Sequence, residues 1–134
     1  MKSLIALYLI VLACIYAVLY QDTDFEASKV RGAAIYNDFC VTCHMAKGEG
    51  VEQVYPPLAK SDYLLSNRTA SIRGIKFGQR GPMIVNGKPY DNTMMPMGLK
   101  PQEIADVMNY ITTSWGNENT KMVTAAEVTS VNPR

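Results

Sequence analysis

The sequence has almost no net charge and no run of basic residues, and it is short. Thirteen Lys and Arg residues are offset by twelve Asp and Glu residues, which gives a formal net charge of +1 over 134 residues. Without a basic stretch there is little attraction to a polyanion, so we expect no nucleic-acid partner. A chain of this length has room for one globular domain rather than two.

Sustained alternation of polar and apolar residues is also missing, and no segment repeats. These absences argue against a large sheet and favour helices. One helix is predicted to begin with Ser28 as its N-cap and to run into Cys40, and a second to begin at Pro101 and stop at Gly116. Gly32 lies inside the first helix, where it costs about 1 kcal/mol relative to Ala, and it indicates that another element crosses close by.

Potential metal ligands are scarce, because the chain has three cysteines and one histidine. Structural zinc sites need four ligands. Cys14 lies in an apolar N-terminal run, so only Cys40, Cys43 and His44 remain from the preferred residue types. The single histidine also excludes an iron held by two histidines of this chain.

The N-terminal segment is apolar over residues 4–20, which contain no charge, proline or glycine. As a helix this stretch would be about 25 Å long, slightly short of a hydrocarbon core of about 30 Å. It ends in bulky residues rather than at a small-residue cleavage site. We therefore expect an uncleaved signal anchor over residues 1–20, with a cleaved signal and a lipoprotein signal lipidated at Cys14 as alternatives.

The position of Lys2 favours a cytoplasmic N-terminus, which would place the rest of the chain on the periplasmic side of the cytoplasmic membrane. After the anchor we expect a polar linker over residues 21–28, one domain over residues 29–117 and a C-terminal tail over residues 118–134. The tail lacks a periodic apolar face and is expected to hang free or to lie on a partner.

The densest cluster of reactive side chains is the segment Cys40-Val41-Thr42-Cys43-His44, the pattern of c-type haem attachment. Two thiols three positions apart at a helix end can reach the two vinyl groups of one porphyrin, while the next residue places its imidazole under the iron. The alternatives are a redox-active dithiol, a structural disulfide and an incomplete zinc site.

Three methionines, Met94, Met95 and Met97, crowd the loop that precedes the last predicted helix. Because no second histidine exists, the sixth iron ligand is a methionine, another side chain, water or nothing. This loop can fold over the face of the porphyrin opposite His44, and methionine as the partner of histidine raises the reduction potential relative to two histidines. We therefore expect one of the three methionines to bind the iron.

Four segments occur in order over about residues 32–117: GAAIYNDFCVTCH, YPPLA, GPMIVNGKPYDNTMMPMG and EIADVMNYITTSWGN. In these motifs the chain resembles the small monohaem class I cytochromes c, in the bacterial branch with a Met-Pro ligand loop. The resemblance implies an all-α fold, the small class I cytochrome c fold, in which the N- and C-terminal helices cross and Gly32 and Tyr36 meet Tyr110. One covalent haem c would lie between helices and loops, and the predicted transmembrane helix would precede the domain.

The same resemblance assigns roles to residues on the proximal side. It implies thioether bonds from Cys40 and Cys43 and identifies His44 as the proximal iron ligand. The carbonyl of Pro56 would accept a hydrogen bond from the His44 imidazole and fix its tautomer. Leu58 would pack against the haem.

On the distal side, the resemblance implies that Met95 binds the iron, because Met95 directly precedes Pro96 and the motif of the family is Met-Pro. The doubled methionine makes Met94 the alternative ligand. Met97 occupies a position that is more often bulky and apolar in the family.

Two protein ligands would leave the iron no open position, which favours one-electron transfer over chemistry on small molecules. We therefore expect an electron carrier rather than an enzyme, with no small-molecule substrate. The expected partners are the membrane and respiratory redox proteins, such as a quinol-oxidising complex, a terminal oxidase or a dehydrogenase, and the chain would be a free carrier or a subunit. The alternatives are a haem enzyme or gas sensor with a labile sixth ligand, and a periplasmic dithiol protein.

Charge is unevenly distributed along the chain. Residues 60–88 include six basic residues and one acidic residue, whereas residues 21–52 include six acidic and three basic ones. Such an asymmetry could steer the domain toward an acidic docking face. The alternative is an ordinary solvated surface.

Overall fold

The computed structural model describes residues 2–133, so Met1 and Arg134, the outer ends of the predicted anchor and tail, lie outside the described residues. The side chain of Lys2, on which the predicted orientation depends, also lies outside the described part of the chain. The fold is mainly helical, as expected. Its elements are α1 (Lys2–Phe39), α2 (Val41–His44), α3 (Asp62–Ser66), α4 (Arg68–Phe77), β1 (Met83–Val85), β2 (Lys88–Tyr90), α5 (Pro101–Ile111) and α6 (Ala125–Ser130).

Helix α1 runs without a break from Lys2 to Phe39. The predicted linker over residues 21–28 is therefore wrong, and Ser28 is not an N-cap. No proline or glycine precedes Gly32 in this helix, and the polar residues of the expected linker are compatible with exposed helical turns. The Ser28 side chain is buried instead, and its hydroxyl donates to Asp106 Oδ1 at 2.6 Å.

The apolar part of α1, residues 4–20, is exposed along its whole length. The most apolar window of this helix has a mean hydropathy of 2.3, and none of that window is buried inside the described chain. By length and composition the helix could cross a membrane or act as a signal segment. No other part of the described chain therefore covers this apolar surface.

Helices α1 and α5 cross at Gly32, as the sequence predicts. A Cβ atom at Gly32 would lie 2.0 Å from the carbonyl oxygen of Asp106 and 2.8 Å from Tyr110 Cβ, so only glycine permits this approach. One turn later Tyr36 is fully buried, with its ring centroid 5.6 Å from that of Tyr110 and 4.9 Å from that of Trp115. The crossing fixes the end of α1, and with it Cys40, beside the core.

A buried polar network joins the two crossing helices. Asp106 in α5 accepts hydrogen bonds from Ser28 and, at 2.7 Å, from Arg31 Nε in α1. Asn109, one turn further along α5, donates to the Ser28 hydroxyl oxygen at 2.8 Å. Every member of the network has a partner, which is what makes polar side chains acceptable in the interior.

Helix α5 begins at Pro101 as predicted but ends at Ile111, five residues before Gly116. The hydroxyl groups of residues 112–114 each donate to a backbone carbonyl one helical turn earlier, as Thr112 does to Met108 at 2.7 Å. Hydroxyl side chains that compete for these carbonyls weaken a helix, and three in succession end this one.

Residues 83–90 form a β-hairpin, although the composition of this segment is typical of a loop. Its two-residue turn, Asn86-Gly87, has φ values of 51° and 75°, which suit a type I′ turn. The hairpin is the one sheet of the described residues, in agreement with the prediction of no large sheet.

The C-terminal segment, residues 119–133, packs against the domain, so the prediction that it hangs free is wrong. Asn109 donates to the carbonyl of Val123 at 2.9 Å and accepts from its N–H at 2.7 Å. Val123, Val128 and Val131 are buried in the hydrophobic core. Because the three valines are unevenly spaced, no periodic pattern indicates that this segment is part of the fold.

The basic residues of α4 bind this C-terminal segment. Arg68 forms an ion pair with Glu127 at 2.6 Å, Lys76 donates to three backbone carbonyls at the end of α6, and Arg73 donates to the carbonyl of Asn132. Half of the six basic side chains that suggested a docking face therefore serve the chain's own packing.

Candidate functional site

Cys40, Cys43 and His44 lie on a single turn of chain at the end of α1. The Cys40 N–H still donates to Tyr36 O at 2.9 Å, and the N–H groups of Cys43 and His44 both donate back to Cys40 O. The short helix α2 therefore continues directly from the crossing of α1 with α5. The three reactive side chains all line one cavity of about 350 Å³.

The imidazole of His44 is buried and oriented by a backbone carbonyl. Its Nδ1 lies 3.0 Å from Pro56 O, as the resemblance implies. Burial lowers the pKa of His44, and the bond to Pro56 opposes that shift only in part, so the ring is neutral at pH 7. With the proton on Nδ1 facing Pro56, the free lone pair is on Nε2, which can bind a metal.

Gly50 lets the loop that carries Pro56 come close to α2, a role that no sequence pattern indicates. The N–H of Gly50 donates to His44 O at 3.0 Å, and its φ is +64°. A Cβ atom at this position would lie 2.3 Å from Tyr55 O and 2.8 Å from Pro56 O. A glycine two residues after another in a loop looks like ordinary turn composition, so only the structure reveals this contact.

The cavity brings together every residue that the sequence predicts for the site. Besides Cys40, Cys43 and His44, the cavity is lined by Pro56, Leu58 and the methionines 94, 95 and 97. The wall also contains apolar side chains from α3, α4, the hairpin and α5 to which the sequence assigns no role in the site: Leu64, Ala70, Ile75, Val85, Tyr90, Val107 and Ile111. Their spacing predicts buried residues but does not separate a cavity wall from solid core.

The methionine loop is held against the end of α4. Met94 exchanges two backbone hydrogen bonds with Gln79, each 2.9 Å long. Gly78, at the end of α4, leaves room for the loop, since a Cβ atom there would lie 2.9 Å from Met94 O and 3.1 Å from Pro96 Cδ. Met94 is half-buried, whereas Met95 is 55% exposed.

The donors in the cavity fit a haem better than they fit the alternatives. Two thiols suit the vinyl groups of a porphyrin, and a neutral imidazole with several methionine thioethers in apolar walls suits its iron. No group of three or more His, Cys, Asp or Glu side chains able to hold a metal ion occurs among residues 2–133. Burial, with a smaller contribution from Cys43, raises the pKa of the Cys40 thiol to about 11, and a protonated thiol makes a poor redox switch.

Comparison with known proteins agrees with this geometry. Residues 30–115 match the sequence model of the Cytochrome c family. The chain is 37% identical over 110 residues to the cytochrome c subunit of alcohol dehydrogenase (quinone) from Gluconacetobacter polyoxogenes, an alignment that covers 79% of this chain and 23% of that protein. It is 35% identical over 104 residues to the gluconate 2-dehydrogenase cytochrome c subunit of Pantoea cypripedii, covering 75% and 23%.

The alignment with a relative of similar size covers most of both chains. The identity to cytochrome c-552 of Thermus thermophilus is 34% over 110 residues, which cover 75% of this chain and 74% of the relative. The chain therefore spans most of a small cytochrome but only about a quarter of the dehydrogenase subunits. The matched region contains α2, the His44–Pro56 contact and the methionine loop, so this chain belongs to the cytochrome c family and binds one covalent haem c.

Proposed function

We propose that this protein carries single electrons between respiratory partners at the outer face of the cytoplasmic membrane. The observation that best supports the proposal is the donor set of the cavity, in which an imidazole and methionine thioethers come from separate parts of the wall. This chain can therefore supply both axial ligands. When bound, the haem supplies an iron that accepts and releases one electron, and an iron with two protein ligands favours electron transfer over catalysis.

The proximal side of the haem is proposed to be held by α2 and by the loop that contains Pro56. Cys40 and Cys43 would form the two thioether bonds, and His44 would bind the iron through Nε2. Pro56 would keep the imidazole in one tautomer through the 3.0 Å contact with Nδ1, and Leu58, which lines the cavity, would pack against the haem.

The proposed distal ligand is Met95, because it directly precedes Pro96. Met94 is the alternative, and it is favoured by its deeper burial and by its two backbone bonds to Gln79. We expect Met95→Ala to lower the reduction potential and to abolish the weak red absorption band of sulfur-ligated ferric haem. Met94→Ala and Met97→Ala should keep the band, and loss of the band in Met94→Ala alone would identify Met94 as the ligand.

The covalent haem itself is tested by denaturing the purified protein, removing every noncovalent group and recording the pyridine haemochrome spectrum. We expect a spectrum that corresponds to one haem per chain, and an intact mass that includes it. A protein without haemochrome colour would contradict the electron-carrier proposal.

Carbon monoxide separates the carrier from a haem enzyme or gas sensor. A stable methionine ligand should prevent ready binding of carbon monoxide to the reduced protein at neutral pH. Ready binding would indicate a labile sixth position and would favour the enzyme or the sensor.

A dehydrogenase is the redox partner that the names of the relatives favour. Two of them are cytochrome c subunits of dehydrogenases, although this chain aligns with only 23% of each. We propose that the apolar part of α1 is retained as the membrane anchor, with the haem domain on the periplasmic side. Gentle detergent extraction of native membranes and sizing should yield a complex that contains a dehydrogenase, and elution of the cytochrome alone would favour a free carrier. The intact mass reports whether the N-terminus is retained and whether Cys14 carries a lipid.

A further inference from the structure

Ser71 in α4 has a buried hydroxyl group without a hydrogen-bond partner. Among the buried side-chain nitrogen and oxygen atoms of the described chain, its Oγ is the one in this condition. Leaving such a group unpaired costs about 1–3 kcal/mol, and native proteins contain few of them. A partner is therefore expected to arrive with something that the folded chain binds.

Four other hydroxyl residues in or next to the helices of this protein bond to the backbone of their own helical turn. Thr112, Thr113, Ser114 and Thr129 each donate to the backbone carbonyl four residues earlier, at 2.7–2.8 Å. The corresponding carbonyl for Ser71 is that of Asn67, which accepts the Ser71 N–H at 2.8 Å but not its hydroxyl. Ser71 therefore does not make the bond that its position in the helix offers.

The location of Ser71 connects it with the methionine loop. Ser71, Gly74 and Ile75 lie on the face of α4 that lines the cavity. A Cβ atom at Gly74 would lie 3.8 Å from Gln79 Cβ, and Gln79 is the residue that pairs with Met94. The face of α4 that contains Ser71 thus leads to the loop with the candidate distal ligands, whereas Pro56 orients His44 from another segment.

We propose that Ser71 is a positioning residue for the distal side: its hydroxyl donates a hydrogen bond to the thioether sulfur of the methionine that binds the haem iron. The inference rests on the proposed function, because it requires a methionine ligand. Thioether sulfur is a weak acceptor, so the bond matters chiefly through the electron density it withdraws from the sulfur. A sulfur that donates less electron density stabilises the ferric iron less, so the hydroxyl raises the reduction potential.

The test compares holoprotein variants Ser71→Ala, Ser71→Thr and Thr69→Ala. Thr69 lies on the exposed side of α4 and controls for changes in the helix itself. In equilibrium with a reference redox couple, Ser71→Ala should raise the ratio of oxidised to reduced protein about two- to fivefold, as expected for part of one hydrogen bond. The red sulfur band should shift in the same variant, and Ser71→Thr, which keeps a hydroxyl, should behave like the parent protein.

Three results would overturn the inference. One is an unchanged potential and an unchanged red band in Ser71→Ala. A second is a potential that changes only as acidic pH is approached, with an unchanged band, because that result would identify a porphyrin carboxylate as the acceptor. The third concerns the case in which Ser71→Ala does not take up haem. Ser71→Cys, whose thiol is a weaker donor of similar volume, is then measured instead. A potential and a band equal to those of the parent protein, rather than intermediate values, would contradict the inference.

The parent protein separates this inference from the proposed function. A parent protein without the red sulfur band would contradict the methionine ligand itself. A parent protein with the band and an unchanged Ser71→Ala variant would contradict only the role of Ser71.

Discussion

Gly32 determines how closely the two longest packed helices can approach. Replacement by alanine would place a methyl group 2.0 Å from Asp106 O and 2.6 Å from Asp106 C, both backbone atoms that cannot rotate away. The helices would have to separate, which disturbs the contact of Tyr36 with Tyr110 as well. We expect Gly32→Ala to lower the free energy of unfolding by about 3 kcal/mol, as measured by denaturant titration of the holoprotein.

Ala34→Gly provides the matched control on the same helix. Ala34 is exposed, so this change introduces only the intrinsic helix cost of glycine, about 1 kcal/mol. Equal losses in the two variants would mean that the helices adapt easily at the crossing, contrary to the geometry of Gly32.

Single residues differ in how far the sequence reveals their roles. Gly32 was predictable because glycine inside a helix is costly and needs a reason, and Cys40, Cys43 and His44 were predictable because their spacing is specific. Gly50 was not, since a glycine in a loop needs no special reason. Ser71 was not either, because an unpaired hydroxyl is a property of surroundings that only the folded chain has.

At the scale of elements, Arg68 fastens the C-terminal segment to α4. Its guanidinium pairs with Glu127 through two nitrogens, at 2.6 and 2.7 Å, and donates to the carbonyls of Lys121 and Met122 at 2.8 Å. We expect Arg68→Ala to destabilise the protein by about 2 kcal/mol, because these bonds are charge-assisted and partly buried. Amide hydrogen exchange of Val128 should accelerate more than exchange in α5.

Arg80→Ala is the control for this prediction, since Arg80 is exposed and lies beyond the end of α4. It removes the same charge and should change stability by less than about 0.5 kcal/mol. If both variants lost the same stability, net charge rather than the Arg68 contacts would be the cause.

The network around Asp106 predicts a specific dependence on pH. Burial raises the pKa of Asp106, but hydrogen bonds from Arg31, Ser28 and Gln102 outweigh burial and leave the pKa below its usual value. A carboxyl group with a lowered pKa in the folded state stabilises the protein above its unfolded pKa of about 3.9, and that contribution is lost as the pH falls through the folded value. Asp106→Asn should therefore cost about 2 kcal/mol at pH 7, and the cost should shrink below about pH 4.

Denaturant titrations of both proteins at several pH values between 7 and 3 measure this difference. Asp106 lies outside the haem cavity, so a change of haem ligation at low pH would affect both proteins alike and cancel in the comparison. A difference in stability that stays constant over the whole range would mean that the ionised Asp106 contributes nothing.

The extents of the elements were less predictable than their existence. The start of the last predicted helix was indicated by Pro101, yet its end depends on hydroxyl groups that bond to carbonyls of the previous turn. The polar composition of residues 21–28 suggests a linker, but an exposed helix tolerates polar residues equally well. The C-terminal segment packs through three unevenly spaced valines, which only a folded partner surface can bring together.

For the whole molecule, the continuity of α1 predicts that the spacing between the anchor and Cys40 affects electron transfer. Each inserted residue rotates the haem domain relative to the anchor by about 100° and lifts it by about 1.5 Å. Two alanines inserted after Thr23 would turn the haem domain by about 200°, whereas four would turn it by about 400°, close to its original orientation. With the anchor retained, the two-residue insertion should slow electron delivery to a membrane-bound partner more than the four-residue insertion.

Reduction by a soluble chemical reductant is the control, and both insertions should leave it unchanged because the haem site itself is untouched. Equal rates with the membrane partner for both insertions would mean that the helix bends freely between membrane and domain. A steady decrease with insertion length would indicate that height above the membrane matters more than orientation.

If residues 4–20 lie in a bilayer, as proposed above, the haem domain of this protein has no flexible tether. Helix α1 covers about 30 Å between Tyr20 and Cys40, so the haem would be held at one fixed distance from the membrane surface. The domain would then reach a partner only by lateral diffusion in the membrane and by rotation about the membrane normal. Such a carrier meets only proteins whose redox centres stand at the same level, which selects partners before any surface contact is made.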